Sequence, residues 1–250
     1  MNRAYWETVA TNYGAAVLSV FDHDTAGLVH SRIVAAAEPQ GRAADLGCGV
    51  GMFTPMLAGA FGQVEACDLA AGGVAATRER CRTYANVNVH QLDLTCDPLP
   101  FPPVEFVLCI NVLIMPLLDQ RMRAWRAVTN QVAHGGCLLL VVPSVESMHY
   151  EQFLALETSL DDGNSCADAI RQSVPRTGSI KDLHQGIHPL EGQRTKLYLH
   201  EELERMLDSH EFDLTELVKI SYPRAAEIRK STGGRNGDDP WDWLVMARRR

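Results

Sequence analysis

Several features are missing from this chain, and each absence closes off a class of function. No CxxC pair occurs among the seven cysteines (Cys48, Cys67, Cys81, Cys96, Cys109, Cys137 and Cys166), and their odd number argues against a disulfide framework. Most of them lie in apolar stretches, where cysteine acts as a small hydrophobe, so a reducing cytoplasm is the expected compartment. No apolar run approaches the roughly 18 residues that a membrane span requires. The opening MNRAYWETVATNYG carries acidic Glu7 and no apolar stretch, so it is not expected to be a signal peptide. Internal repeats and low-complexity tracts are absent as well. No G-x-S-x-G, P-loop or H-E-x-x-H segment is present, and the histidines near Cys166 lack zinc-ligand spacing, so no metal is expected.

What remains is a chain with ample material for a core. Of its 250 residues 46% are hydrophobic, and the mean hydropathy is -0.11, which excludes a disordered polymer. The formal net charge of -8 argues against bulk binding to a nucleic-acid backbone. A single domain with an insertion is expected.

Residues 3 to 37 read as two helices broken near Gly14 or around Asp22–Asp24. From residue 42 short apolar runs alternate with helical segments. The strand candidates are Arg42–Leu46, Val64–Asp68, Val87–Leu92, Val104–Ile110 and Cys137–Val142, followed late in the chain by Phe212–Tyr222 and Trp241–Ala247. The run Leu138–Val142 is apolar on both faces, as expected for a strand covered on both sides. Asp119 is placed to cap a helix carrying Met122, Trp125, Val128 and Val132, with Gly135 at its left-handed end. Leu199, Leu203, Met206 and Leu207 form one face of another helix. The alternation implies an α/β fold with a doubly wound sheet.

Residues 146–196 break the rhythm, being too long for an ordinary α/β connection. Residues 146–170 carry six acids and no Lys or Arg, whereas 171–196 carry five bases against Asp182 and Glu191. Two readings stand: a surface subdomain with a solvated acidic helix, or a lid over an active site. The expected organisation is an N-terminal helical cap (1–38), a cofactor-binding core (42–145), the insertion (146–196), and a final helix and strands (197–250).

The segment Asp45-Leu46-Gly47-Cys48-Gly49-Val50-Gly51 follows the first strand and precedes a helix expected from about Met52, with Pro55 in its first turn. Glycines there let the backbone turn sharply and approach a ligand closely. The spacing is G-x-G-x-G, whereas a dinucleotide fingerprint needs its third glycine at position 52, which counts against NAD or FAD. Asp68 ends the second strand 21 residues after Gly47, the place for a carboxylate that accepts from ribose hydroxyls. Asp93 follows the third strand. Either aspartate alone could be a loop cap; the ordered set points to a nucleotide-like ligand.

These residues resemble the class I S-adenosylmethionine-dependent methyltransferases, over a Rossmann-like core from about Arg42 to Val142. The resemblance implies seven strands in the order 3-2-1-4-5-7-6, the last antiparallel. It implies that Gly47, Cys48, Gly49 and Gly51 line the methionine and ribose of S-adenosylmethionine, and that Asp45 organises the methionyl amino group. It further implies that Asp68, with Leu69 beside it, binds the ribose, that Asp93-Leu94 flanks the adenine, and that Asn111 faces cofactor and acceptor. The segment Pro103-Val104-Glu105-Phe106 departs from the family, which usually has aspartate after an aromatic. Tyr5, Trp6 and Tyr13 lie on the N-terminal helices, which in many relatives close over the cofactor; the other reading is core packing.

Methyl transfer from a sulfonium mainly requires alignment and exclusion of water, so no universal catalytic residue is expected and none is assigned. Acceptor contacts are expected after the fifth strand and before the final helix, at His149, Tyr150, Lys196 and Tyr198. The acceptor is expected to be a small molecule or, alternatively, a protein side chain. A cofactor-binding module without turnover is a third reading, and a nicotinamide oxidoreductase a fourth.

Overall fold

A computed structural model of the chain describes residues 3–11, 20–173, 179–190, 192–222 and 239–250. Its centre is a seven-stranded sheet built from β1 (Glu38–Leu46), β2 (Phe61–Asp68), β3 (Val87–Gln91), β4 (Val104–Ile110), β5 (Val132–Pro143), β8 (Phe212–Ser221) and β9 (Trp241–Arg249). Its order is β3-β2-β1-β4-β5-β9-β8, and β6 (Ile187–Leu190) pairs with β7 (Gln193–Lys196) in a separate hairpin. Counted within the large sheet, this is the expected 3-2-1-4-5-7-6. The first five strands run parallel, and β9 is antiparallel to both neighbours. The beginning of β9 therefore sits at the edge where β1, β4 and β5 end.

Ten helices are described: α1 (Arg3–Thr11), α2 (Val20–His23), α3 (Leu28–Ala35), α4 (Thr54–Ala60), α5 (Ala71–Arg80), α6 (Leu118–Asn130), α7 (Val145–Asp161), α8 (Cys166–Ser173), α9 (Ile180–Leu183) and α10 (His200–Ser209). They cover both faces of the sheet, which explains why its central strands read as continuous apolar runs. One cluster gathers Val107, Cys109, Leu138 and Leu140 with Trp125, Leu203 and Leu207; the other gathers Phe106, Leu108, Leu139 and Val141 with Val29, Ile33 and Leu57. Alternate residues of one strand thus feed opposite layers. All seven cysteines are free, and Cys48, Cys67, Cys81 and Cys109 are buried. No described helix is long and apolar enough to cross a membrane.

Several local expectations need correction. The break around Asp22–Asp24 is real: the Asp24 carboxylate accepts from the N–H groups of Leu28 and Val29, both at 2.8 Å, and starts α3. Gly14 lies outside the described residues. Asp119 does not cap α6; the N-cap is Leu117, and Asp119 sits in the first turn paired with Arg123. Gly135 is not a helix end either. Helix α6 stops at Asn130, and Gly135, at φ +74°, lies inside β5. The β4–β5 register slips between Val104 and Phe106, and the surplus backbone opposite this slip needs the left-handed turn that glycine accepts. The helix expected near Met52 begins at Thr54, with Pro55 in its first turn. Leu199 caps α10 from outside and is exposed, while Leu203 and Leu207 are buried. The unusual Glu105 serves the sheet itself, since its carboxylate accepts from the Arg42 N–H at 2.8 Å and ties β4 to β1.

Candidate functional site

A cavity of about 590 Å³ opens at the carboxyl edge of the parallel strands. One side is the turn after β1. The N–H groups of Gly47 and Cys48 both donate to the Cys67 carbonyl, at 2.8 and 2.9 Å, so the turn is stitched to β2. Gly47, Gly49 and Gly51 all have positive φ. At Gly47 a Cβ would lie 2.2 Å from a Val112 methyl, so the position excludes any side chain. Asp68 completes the turn: Oδ2 accepts from the Gly49 N–H at 2.9 Å and Oδ1 from the Ala70 N–H at 2.8 Å. Burial pushes the Asp68 carboxyl up, partly offset by these donors.

Asp45 lies behind the turn, buried, with Oδ2 accepting from the Thr54 hydroxyl at 2.6 Å. Burial pushes it up to about 7. Neither Asp45 nor Asp68 makes an ion pair with a described base. The buried Asp45 and half-buried Asp68 beside a glycine-rich turn suit a ligand bringing positive charge and hydroxyl donors. Asp93 also lines the cavity, while its Oδ1 accepts from the Thr95 N–H and hydroxyl. One oxygen is thus engaged by its own loop.

Helix α1 forms a roof. Tyr5 and Trp6 line the cavity, edge to face at 5.1 Å between ring centroids. The roof is held by Glu7, whose carboxylate accepts from the Ala71 and Gly72 N–H groups at 2.7 and 3.0 Å. The run Leu69-Ala70-Ala71-Gly72-Gly73 has no Ser, Thr, Asp or Asn at the start of α5, so its orphan N–H groups are satisfied from another helix. Those donors hold the Glu7 carboxyl below its usual range.

The far wall is formed by residues at the ends of β4 and β8 and the start of β9. Asn111 follows β4 at φ +54°. Its Nδ2 donates to Asp242 Oδ2 at 3.2 Å, and the Tyr222 hydroxyl donates to the same oxygen at 2.6 Å. All three residues line the cavity.

Residues 43–136 match a family model described as a methyltransferase domain. Those residues carry a methyltransferase domain, and the sheet around them has the class I methyltransferase topology. Its fold is similar to that of magnesium protoporphyrin IX methyltransferase from Synechocystis PCC 6803, solved with S-adenosylhomocysteine, at 16% identity and TM-score 0.64, covering 99% of this chain and 98% of that one. The N-methyltransferase NodS from Bradyrhizobium japonicum WM9, also bound to S-adenosylhomocysteine, matches at 12% identity and TM-score 0.57, covering 89% of this chain and 86% of that one. The [4+2]-cyclase SpnF matches at 14% identity and TM-score 0.57, covering 90% and 80%. A search among curated proteins by sequence finds no match.

In this methyltransferase Gly47, Gly49, Asp68, Leu69, Asp93, Leu94 and Asn111 all line the cavity. Asp45, Cys48 and Gly51 stand one layer behind: the Cys48 sulfur lies 3.6 Å from the Thr77 hydroxyl, and a Cβ on Gly51 would meet Thr77. Tyr13 lies outside the described residues. The four expected acceptor contacts do not line the cavity. Lys196 is 2% exposed and donates to Glu202 at 2.6 Å, and burial pushes its ammonium down. Tyr198 is fully buried, donating to the Leu113 carbonyl and accepting from Trp125 Nε1. His149 meets the buried ring of His188 at 6.0 Å, and Tyr150 packs against Phe153 and Trp241. Their neighbours line the cavity instead: Thr195 and Leu197 across the end of β7, and Ser144, Ser147, Met148 and Glu151 along α7. The segments were identifiable, but the face was not. Strand alternation turns 196 and 198 away when 195 and 197 face in, and helical spacing selects 144, 147, 148 and 151.

Proposed function

We propose that this methyltransferase moves a methyl group from S-adenosylmethionine to a small-molecule acceptor by in-line displacement inside this cavity. The observation that carries the reading is the continuity of the cavity. It runs from the glycine turn and Asp68, under Tyr5 and Trp6, to Ser147 and Trp241 on the opposite side. Its volume falls in the range of small-molecule sites, about 300–1,000 Å³. The relative named for magnesium protoporphyrin IX supports a small-molecule acceptor as well.

Gly47 and Gly49 would hold the methionine part, Asp68 the ribose hydroxyls, and Asp93-Leu94 the adenine. Bound S-adenosylmethionine supplies an activated methyl group next to a positive sulfur. The protein contributes alignment and dryness: α1 roofs one side, and α7 with the β6–β7 hairpin walls the other. In this reading residues 146–196 are a lid that selects the acceptor, and 1–38 and 42–145 are the cap and cofactor core.

The test is transfer of labelled methyl from S-adenosylmethionine to a fractionated cell extract. Label in the ultrafiltered small-molecule fraction is the expected result. Label confined to protein would replace this reading with side-chain methylation. Binding of S-adenosylhomocysteine without any labelled product would replace it with a module that binds and does not turn over.

A further inference from the structure

One carboxylate of the cavity has no role on the cofactor side. Asp242 is the second residue of β9, opposite Pro143 in the β5–β9 register and opposite Ile220 in the β8–β9 register. It is 9% exposed. Its Oδ2 takes both donors, from Tyr222 and Asn111, and no described residue is bonded to Oδ1. Both donors are held in place. The Tyr222 N–H donates to the Pro240 carbonyl at 2.8 Å, and the Asn111 N–H to the Val141 carbonyl at 2.9 Å. Asn111 adopts a left-handed conformation, which asparagine accepts more readily than most other non-glycine residues.

The same wall has unused polar atoms. Asn111 Oδ1 and Trp241 Nε1 are both buried without a hydrogen-bond partner. Such groups are rare in folded proteins, and two among the residues lining one cavity mark an arrangement that is incomplete. Around them the cavity is apolar, with Ile110, Ile114, Met115 and Leu197. A link between strand ends needs only neutral hydrogen-bonding groups, so a buried carboxylate there needs a further reason. Its charge is costly to bury without a cationic partner. Burial pushes the carboxyl up, which favours proton uptake there. Among the described residues lining the cavity the acids are Asp68, Asp93, Glu151 and Asp242, and the only base is Arg3. With Asp68 and Asp93 at the cofactor, Asp242 and Glu151 leave the acceptor side negative.

We propose that Asp242 pairs with the acceptor's amine in its ammonium form and takes a proton from it, so that the acceptor is a primary or secondary amine. The inference rests on the small-molecule methyl-transfer reading and specifies its substrate class. An ammonium N–H donates to Asp242, and the proton passes to the carboxylate, leaving a lone pair on nitrogen. That lone pair bonds the methyl carbon as the carbon–sulfur bond breaks, its electron pair going to sulfur. The methylated nitrogen carries the positive charge, and the Asp242 proton leaves to solvent with product release.

The test uses the full chain, labelled S-adenosylmethionine and the small-molecule fraction of a cell extract. One portion of the fraction is treated with acetic anhydride and then hydroxylamine, which leaves nitrogen acetylated and frees oxygen and sulfur. Loss of label in the treated portion is expected; undiminished label would overturn the amine assignment. Asp242→Asn keeps the side-chain shape and is expected to bind S-adenosylhomocysteine as the wild type does, while labelled product falls by about 100-fold or more. Full turnover in that variant would overturn the role of Asp242 even if the acceptor is an amine. No label from the untreated portion, with S-adenosylhomocysteine binding intact, would instead refute the methyl-transfer reading beneath it.

Discussion

Gly47→Ala tests the cofactor turn with a single methyl group. The new Cβ would lie 2.2 Å from Val112 Cγ2 and 3.1 Å from Cγ1, on a residue whose φ is +80°. Holding alanine in that left-handed region costs about 1–2 kcal/mol. Forcing Val112 aside adds about 1–3 kcal/mol, because Val112 packs on the core beneath the turn. The expected total is about 2–5 kcal/mol, a large share of the roughly 5–15 kcal/mol margin of an ordinary domain. The two contributions separate in a double-mutant cycle with Val112→Ala, measured by urea denaturation at constant m-value. Trimming Val112 makes room for the new methyl, so the pair should couple favourably by about 1–3 kcal/mol while the backbone cost persists. A Gly47→Ala protein as stable as wild type would refute the geometry of the turn. A coupling near zero would show that the contact with Val112 is not what excludes a side chain.

Three further outcomes are expected. Asp68→Ala removes a carboxylate acceptor and should weaken S-adenosylhomocysteine binding by about 1.5–3 kcal/mol in calorimetric titration; unchanged affinity would place the ribose elsewhere. Asp45 has a folded pKa of about 7 against 3.8 unfolded. The folded state therefore binds its proton more tightly, and its contribution to stability is full below 3.8 and lost as pH rises through about 7. The loss has a ceiling of about 4 kcal/mol in the ligand-free protein. Asp45→Asn should flatten that slope, and parallel unfolding curves for wild type and variant between about pH 5 and 8 would exclude the effect. Glu7→Gln weakens the link that holds α1 over the cavity and should raise the dissociation rate of S-adenosylhomocysteine several-fold in stopped-flow measurements; an unchanged rate would mean that α1 does not retain the ligand.

The glycine turn and the acids at the cavity's edge were legible because they rest on local rules. A glycine-rich turn after β1, and acids at the ends of β2 and β3, follow from chain order and strand periodicity alone. Asp93 shows that two readings can hold together, since it lines the cavity and caps its own loop. Glu7 left one indirect sign, the run Ala70–Gly73 that starts α5 with no cap of its own. Asp242 and Tyr222 left none, because one opens β9, the other follows β8, and neither belongs to a motif. His149, Tyr150, Lys196 and Tyr198 lie in segments that reach the cavity, but on faces turned away from it. A shift of one residue reverses a strand's orientation, and nothing local decides which side of β7 or α7 meets the cavity.

The chain's own pattern was enough for the alternation of strands and helices and for the glycine turn, because each depends on spacings within about 25 residues, while the sheet order came from the family resemblance. The wall proposed to meet the acceptor required the folded molecule. Asn111, Tyr222 and Asp242 are separated by 111 and 20 positions along the chain. They meet because β9 enters the sheet antiparallel between β5 and β8, bringing its first residues to the edge where β4 ends. That contact is made by long-range strand pairing, and no local pattern encodes it.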